Sequence, residues 1–190
     1  MLGNEPSFAV PVEPGRLDEA WRGNVIALGD SAASFEPLGW LNLDFAHRQV
    51  GLLLELLPGL AINPLERAEF NRRSALMADR ARDYVAACYA APAARKVYPD
   101  LARSDELALV LDQFARRGRM PFLEETPLSA QEWVTQLHAL GIRAGEGLLS
   151  QAGDPVAAER ARQAFAARCR AALDAAPPYA SWLEMVLRGS

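Results

Sequence analysis

Residues 24–57 run NVIALGDSAASFEPLGWLNLDFAHRQVGLLLELL, and three signals lie in them in order. Asn24 to Gly29 is a short apolar run ending in Gly-Asp, which reads as a buried strand leaving a sheet at its C-terminal end. A turn, 30–40, follows, with small residues first and Glu36-Pro37-Leu38-Gly39-Trp40 last. From Leu41 to Leu57 apolar residues recur at helical spacing until Pro58-Gly59 stops them. The face of this helix carrying Val50 to Leu57 has too few polar positions to meet water comfortably, so an apolar, exposed face is expected on the isolated chain. Burial of Leu52, Leu53 and Leu56 together would count against that.

Outward from this segment, helix signals dominate. Asn63, Pro64 and Glu66 supply a cap, a first-turn proline and the reciprocal acid of a capping box, opening a helix through Phe70, Met77, Tyr84, Cys88 and Tyr89 to about Ala91, before Pro92. Phe70, Met77, Tyr84 and Tyr89 fall at helical spacing and read as core. Ser104 to Arg117 forms another helix ahead of Gly118. Ser129-Ala-Gln-Glu132 is a capping box in front of Trp133 and Leu137. Asp154-Pro155 opens an Ala- and Arg-rich helix whose arginines read as a solvated face, and Pro177-Pro178 separates it from a short last helix, Tyr179 to Leu187. Ser7 to Val12 is a possible edge strand, since Pro11 bars it from a sheet centre. The expectation is a mainly α chain, the helical C-terminal part of an α/β fold, with one or two strands near the N-terminus. Its divisions are 1–60 (strand 24–29, turn 30–40, helix 41–57) and a helical domain 61–190. One strand cannot satisfy its own edges. The chain is therefore expected to be a fragment, or to have its sheet completed by a partner, with self-association as a homo-oligomer the symptom.

Composition narrows the function classes. With 190 residues, 51% of them hydrophobic, and a formal charge of −4, the chain has no basic field to gather phosphate backbones, so nucleic acid is not an expected partner. No apolar run approaches a membrane span and the start has no secretory pattern, which points to the cytoplasm. Cys88 and Cys169 lack neighbouring Cys or His and read as buried thiols, and no metal set is indicated. His47 and His138 read as surface histidines.

Gly29-Asp30 at a strand exit suits approach to a ribose-like polyol: glycine clears the way and the carboxylate accepts hydroxyl hydrogen bonds. An isolated Gly-Asp more often caps a turn. Its neighbourhood adds to it. Gly15-Arg16, Trp21, Asn24 to Gly29, Asp30 and Glu36-Pro37-Leu38 resemble, in this order, the segment that closes the flavin site of flavin-dependent tryptophan halogenases. The likeness continues through Gln49 to Pro58, Glu69 to Arg73 and Arg80 to Tyr89, and is looser through Phe114 to Arg119 and Glu132 to Ile142.

The resemblance implies FAD as cofactor and a small aromatic or indole-bearing substrate. It implies Gly29, Asp30, Pro37 and Leu43 as the flavin wall, and Trp40, Leu41 and Asn42 as the halide and substrate side. It also marks losses. The family's turn continues Glu-Ser-Thr-Gly where this chain has Gly39-Trp40-Leu41-Asn42, so the active-site carboxylate position is Gly39 and no catalytic residue is carried over. No GxGxxG occurs, so the pyrophosphate cradle is missing. The single lysine, Lys96, is far from the place of the family's catalytic lysine, and the family's Trp-x-Trp-x-x-Pro is absent. The expected function is a C-terminal portion of a halogenase-like oxidoreductase that binds FAD weakly or not at all by itself, its partners a missing N-terminal half or a flavin reductase. The alternatives are a non-catalytic helical binding or scaffold module, or a piece of another flavin-dependent aromatic monooxygenase.

Overall fold

The structure, a computed structural model, describes residues 13–147 and 153–188. Ser7 to Val12, considered above as an edge strand, lies outside the described residues. Four two-residue strands open the fold: β1 (Gly15–Arg16), β2 (Trp21–Arg22), β3 (Val25–Ile26) and β4 (Ala33–Ser34). β2 and β3 pair antiparallel across the two-residue turn Gly23-Asn24, and β1 pairs with β4 outside them, so two hairpins are nested. Two backbone hydrogen bonds, Leu17 N to Ala32 O and Ala27 N to Ala20 O, extend the ladders.

The buried strand expected over 24–29 is therefore corrected to Val25–Ile26, and the strand count rises from one or two to four. Two causes cut the run short. Ser31 Oγ accepts from Leu28 N at 3.0 Å and donates to Leu28 O at 2.7 Å, and this local pairing curls Gly29–Ser31 into a 3₁₀ turn. Val25, 66% exposed, has no sheet above it. Nor does β3 wait for an outside neighbour, since its partner β2 is four residues upstream.

The hairpins are fastened to helices. Helix α1 (Leu41–Glu55) buries Leu41, Phe45, Gln49 and Leu52, a single stripe at helical spacing. Phe45 meets Phe35 edge-on at 5.4 Å. Helix α2 (Pro64–Tyr89) starts at the Asn63 cap, whose side chain accepts from Leu65 N at 2.9 Å. The cap forms without the reciprocal Glu66 arm expected of a capping box. Along α2, Phe70, Met77, Ala78, Ala81 and Val85 are buried, and the ring of Phe70 meets Trp21 at 5.6 Å. Asn71 acts toward Trp21 as a neighbouring strand would: its Oδ1 accepts from Trp21 N at 2.7 Å and its Nδ2 donates to Trp21 O at 2.9 Å.

One buried polar chain joins all three parts. Gln49, fully buried on α1, accepts from Gly29 N at 2.7 Å and donates to Ser74 Oγ on α2 at 2.7 Å. Each of these groups would otherwise be an unmet donor or acceptor in an apolar setting.

The opposite side of α1 stays open. Leu43, Val50, Leu54 and Leu57, spaced by seven, four and three, are 62%, 42%, 69% and 60% exposed. Leu52 is buried, whereas Leu53 and Leu56 are only partly so. An apolar exposed face on this helix thus exists as expected, carried by Leu54 and Leu57 rather than by Leu53 and Leu56.

A second part of the core follows. Helices α3 (Asp105–Arg117) and α4 (Ala130–Ala139) start as the sequence indicates, at Ser104 and at the Ser129/Glu132 capping box. Leu107, Phe114, Trp133 and Leu137 fill the space between them and the end of α2. The intervening loop is clamped by Glu125, whose Oε2 takes Arg48 at 2.9 Å and whose Oε1 takes Arg73 at 2.6 Å. Past α4 the chain returns to the C-terminus of α3, where the Phe114 carbonyl accepts from both Gly118 N (2.8 Å) and Gly145 N (3.1 Å). A Cβ on Gly118 would stand 2.4 Å from Gly145 O, and one on Gly145 would stand 2.1 Å from Ala115 O. Only glycines allow this main-chain crossing.

By internal packing the chain divides into Met1–Gly145 and Glu146–Ser190. The second unit holds α5 (Pro155–Ala175) and α6 (Tyr179–Arg188), neither with a buried residue. Cys169 on α5 is consequently exposed, not buried as expected, while Cys88 on α2 is partly buried. Among the described residues no helix is long and apolar enough to cross a membrane, and no group of three or more His, Cys, Asp or Glu is placed to hold a metal.

Candidate functional site

The turn between β4 and α1 is built on Phe35, buried at 6% exposure, whose N–H donates to Asn42 Oδ1 at 3.2 Å. Asn42 thereby folds the turn back on the helix that follows it. Its side chain is engaged, and the Leu41 side chain is buried, so what these two residues can offer a ligand is main-chain N–H at the start of a 15-residue helix. Pro37, Leu38, Gly39, Trp40 and Leu43 are exposed around it. Gly39 has φ +82°, a left-handed backbone that a side chain opposes by about 1–2 kcal/mol.

Gly29 and Asp30 come to the same region. Gly29 is buried against α1, where an added Cβ would lie 3.3 Å from Ala46 Cβ, and Gln49 holds its amide. Asp30, one residue on, is exposed with its carboxylate at the surface of the 3₁₀ turn. The fold therefore brings Asp30 and the first half of α1 to neighbouring positions. Lys96 lies exposed in a separate 3₁₀ turn, Ala94–Lys96.

Two cavities flank the turn. The larger, about 520 Å³, is lined by Trp40, Tyr84, Leu128, Gln131, Glu132 and Thr135, among others. Trp40 is 49% exposed, and Tyr84 meets Trp133 edge-on at 5.7 Å. Burial pushes the Tyr84 hydroxyl and the Cys88 thiol above their ordinary pKa values. Glu132 is held by its capping role: Ser129 N and Oγ donate to its Oε2 at 2.8 and 2.7 Å, which lowers its pKa.

The other cavity, about 380 Å³, lies beside Phe35 and Glu36, with Val85, Ala86, Tyr89 and Leu101 in its wall. Tyr89 donates a short hydrogen bond from its hydroxyl to Glu36 Oε2, and this acceptor raises the tyrosine's pKa. Among the described residues Glu36 Oε1 accepts no hydrogen bond. Asp83 also borders the cavity, but as a strut. Its Oδ1 takes Ser104 Oγ at 2.8 Å and Arg82 Nη2 at 2.9 Å, while its Oδ2 is sealed from solvent, 3.9 Å from Arg80 Nη1.

Tyr84 and Tyr89, read from their spacing as core, are thus only partly buried, and each lines a cavity. Glu36 stands in the sequence only as the first residue of the Glu36-Pro37-Leu38 turn. Its partner Tyr89 is 53 residues away, and no local pattern connects the two. His47 and His138 are exposed as expected, His138 with its ring against Phe114.

Comparison with known proteins gives the family of the chain. The family model described as Tryptophan halogenase matches residues 2–162. Tryptophan 7-halogenase RebH of Lentzea aerocolonigenes is 31% identical over 83 residues, 44% of this chain and 16% of its own length. Tryptophan 6-halogenase SttH of Streptomyces toxytricini is 26% identical over 176 residues, 86% of this chain and 33% of its own. In structure the chain is similar to BrvH, a flavin-dependent halogenase from Brevundimonas sp. BAL3, with TM-score 0.82 and 20% identity over 92% of this chain and 37% of that one. The chain spans a third or less of the two curated relatives' length.

Proposed function

This chain belongs to the flavin-dependent tryptophan halogenase family, and on that premise we propose that it supplies the helical, substrate-side portion of a halogenase-like oxidoreductase acting on an aromatic or indole-bearing substrate. The observation that carries this reading is the turn from Glu36 to Asn42, set between two cavities, with Asp30 and the start of α1 beside it. In functional terms residues 1–60 are the flavin-side module and 61–190 the helical part, although α1 and α2 share one core.

The residues present fit one wall of a flavin site. Asp30, exposed at the hairpin exit, accepts hydroxyl hydrogen bonds, and Gly29, Pro37 and Leu43 shape the surface around it. FAD, when bound, supplies the oxidising chemistry. Leu41 and Asn42 offer main-chain donors to a halide, and Trp40 offers an exposed indole face to an aromatic ring. No pyrophosphate cradle accompanies them, because the sequence contains no GxGxxG. A site offering one wall, which must also be ordered on binding, holds its ligand weakly. The reading is therefore that these residues do not halogenate by themselves.

A second reading, a non-catalytic helical binding module, is favoured by Gly39 in the carboxylate position and by the placement of Lys96 in an exposed turn, outside the lining of both cavities. Flavin titration separates the two. The chain alone is expected to bind FAD weakly or not at all, and a mixture with the N-terminal half of a related halogenase to bind it measurably. Gly39→Glu with Trp40→Ser leaves the chain alone inactive, since neither change adds a phosphate-binding turn or a lysine. Tight FAD binding or halogenation by the unmodified chain alone overturns the first reading, and a folded chain that ignores FAD even in the mixture supports the second.

A further inference from the structure

Glu125, in the loop between α3 and α4, has φ +54°, the one positive value outside glycine among the described residues. A side chain in the left-handed region is strained, and it persists only where its surroundings hold it there. Here arginines do so. Arg48 of α1 donates from Nη1 to the Glu125 carbonyl at 3.1 Å and from Nη2 to Oε2 at 2.9 Å, while Arg73 of α2 donates from Nε to Oε1 at 2.6 Å. One residue earlier, the Glu124 carbonyl accepts from Arg80 Nε at 3.3 Å and its carboxylate from Arg72 Nη2 at 2.8 Å. Apolar burial adds little at this point: Phe122 is 91% exposed, and Met120 and Leu123 are only partly buried.

Each of these arginines has a second carboxylate within reach. Asp44 Oδ2 lies 4.0 Å from Arg48 Nη1, Glu55 Oε2 3.0 Å from Arg73 Nη1, and Glu69 Oε2 2.8 Å from Arg72 Nε. Arg80 pairs with Glu106, and 3.9 Å from its Nη1 stands Asp83 Oδ2, a buried acceptor that receives no hydrogen bond. Releasing the loop therefore strands no guanidinium, relaxes the Glu125 backbone, and frees Arg80 to meet an acceptor that goes unmet while the loop is held.

The loop ends at the Trp40 cavity. Thr126 Oγ1 accepts from Trp133 Nε1 at 2.9 Å, which ties the residue after Glu125 to α4, and Leu128, Ser129 and Glu132 line the cavity together with Trp40, the N-cap of α1. Arg48 stands about two turns further along α1, so one helix carries both a wall of the cavity and a cation that holds the loop. We infer that Glu125 is a latch for this cavity: held by Arg48 and Arg73, it keeps the first turn of α4 near Trp40, and released, it lets residues 119–129 move off and widens the opening. The second carboxylates bring the two arrangements close in free energy, which is the condition for a two-state element. Trp133 and Leu137, both buried, hold the rest of α4 in place, so the motion is local. The latch goes beyond the proposed function and depends neither on flavin nor on the ligand the cavity takes.

Spin labels on the whole chain test this. With Cys88→Ser and Cys169→Ser in place, labels on His47→Cys in α1 and Phe122→Cys in the loop, both exposed positions, report the distance between loop and helix by double electron–electron resonance. Glu125→Asn removes the ion pairs yet tolerates the left-handed backbone, and should raise the released fraction roughly tenfold or more, as the loss of hydrogen bonds to a charged group implies. Asp44→Asn with Glu55→Gln removes the competing carboxylates from Arg48 and Arg73 and should lower that fraction below the original, a change of opposite sign that a merely structural clamp does not give. The indole N–H resonance of Trp40, identified by its loss in Trp40→Phe, should shift in step with the released fraction. Equal distance distributions in all three proteins, a released fraction that rises when Asp44 and Glu55 are replaced, or a Trp40 resonance that ignores the fraction each overturn the latch. Should Glu125→Asn fail to fold, the Asp44 and Glu55 replacements decide alone, by the sign of their effect.

Discussion

Replacing Gln49 with leucine tests how the turn at Gly29 is fixed to the helices. The side chain is fully buried and of similar size to leucine, so Gln49→Leu removes two hydrogen bonds with little change in volume. Gly29 N–H loses its acceptor, and Ser74 Oγ loses a donor in a position 3% exposed. An unmet buried group costs about 1–3 kcal/mol, and the serine hydroxyl can recover part of its share by turning to the carbonyl one helical turn back. The net expectation is a loss of roughly 2–4 kcal/mol, which for a unit of this size lowers Tm by about 6–12 °C. Thermal and urea unfolding give the magnitude, and hydrogen exchange at the Gly29 amide gives the location. Gln49→Leu with Ser74→Ala should cost less than the two single changes added together, because the second change removes a group the first left unpaired. A Gln49→Leu protein within about 0.5 kcal/mol of the original, with Gly29 still protected, would refute the claim that this relay holds the turn.

Two further outcomes are expected. Glutamate at both Leu54 and Leu57 should reduce concentration-dependent association in analytical ultracentrifugation and leave Tm nearly unchanged, since both side chains already face outward; unchanged association would locate the sticky surface elsewhere. Glu69 and Glu124 both hydrogen-bond Arg72, which lowers their pKa values below the ordinary 4.5. Because the folded values lie below the unfolded ones, the stability they contribute is present above about pH 4.5 and is lost as pH falls through the folded values. Urea midpoints should therefore drop below that pH less steeply for Arg72→Ala than for the original chain, and the difference should shrink with added salt. Identical acid profiles would show the network to be idle.

How much of this was legible depended on the range of the interaction. Caps at Asn63, Ser104, Ser129 and Asp154 are local, each a side chain reaching an amide two or three residues on, and the helices began where those residues stand. The hairpins were misread because Val25 to Leu28 is apolar enough for a buried strand, while the bond pair of Ser31 to Leu28 that curls the chain is invisible to periodicity. On α1, spacing announced an apolar helix without saying which stripe would be covered; packing of Phe45 on Phe35 and of Gln49 on Gly29 decided that. The roles proposed for Gly29, Asp30 and the 36–43 turn rest on the order of motifs alone, which no local chemistry of these residues supplies. The Glu36–Tyr89 pair was not legible, since it joins a turn to the far end of a 26-residue helix.

The crossing of Gly118 and Gly145 has a bearing on how such a sequence can change over generations. Because a Cβ on Gly118 would meet Gly145 O, and one on Gly145 would meet the main chain of Ala115 and Arg116, neither position can acquire a side chain first. A change at both together is worse than either alone, so no compensating partner exists and no neutral path leads away from the pair. An exposed neighbour such as Phe122 carries no such constraint, while these two sites stay closed to every alternative unless the main chain itself is rerouted.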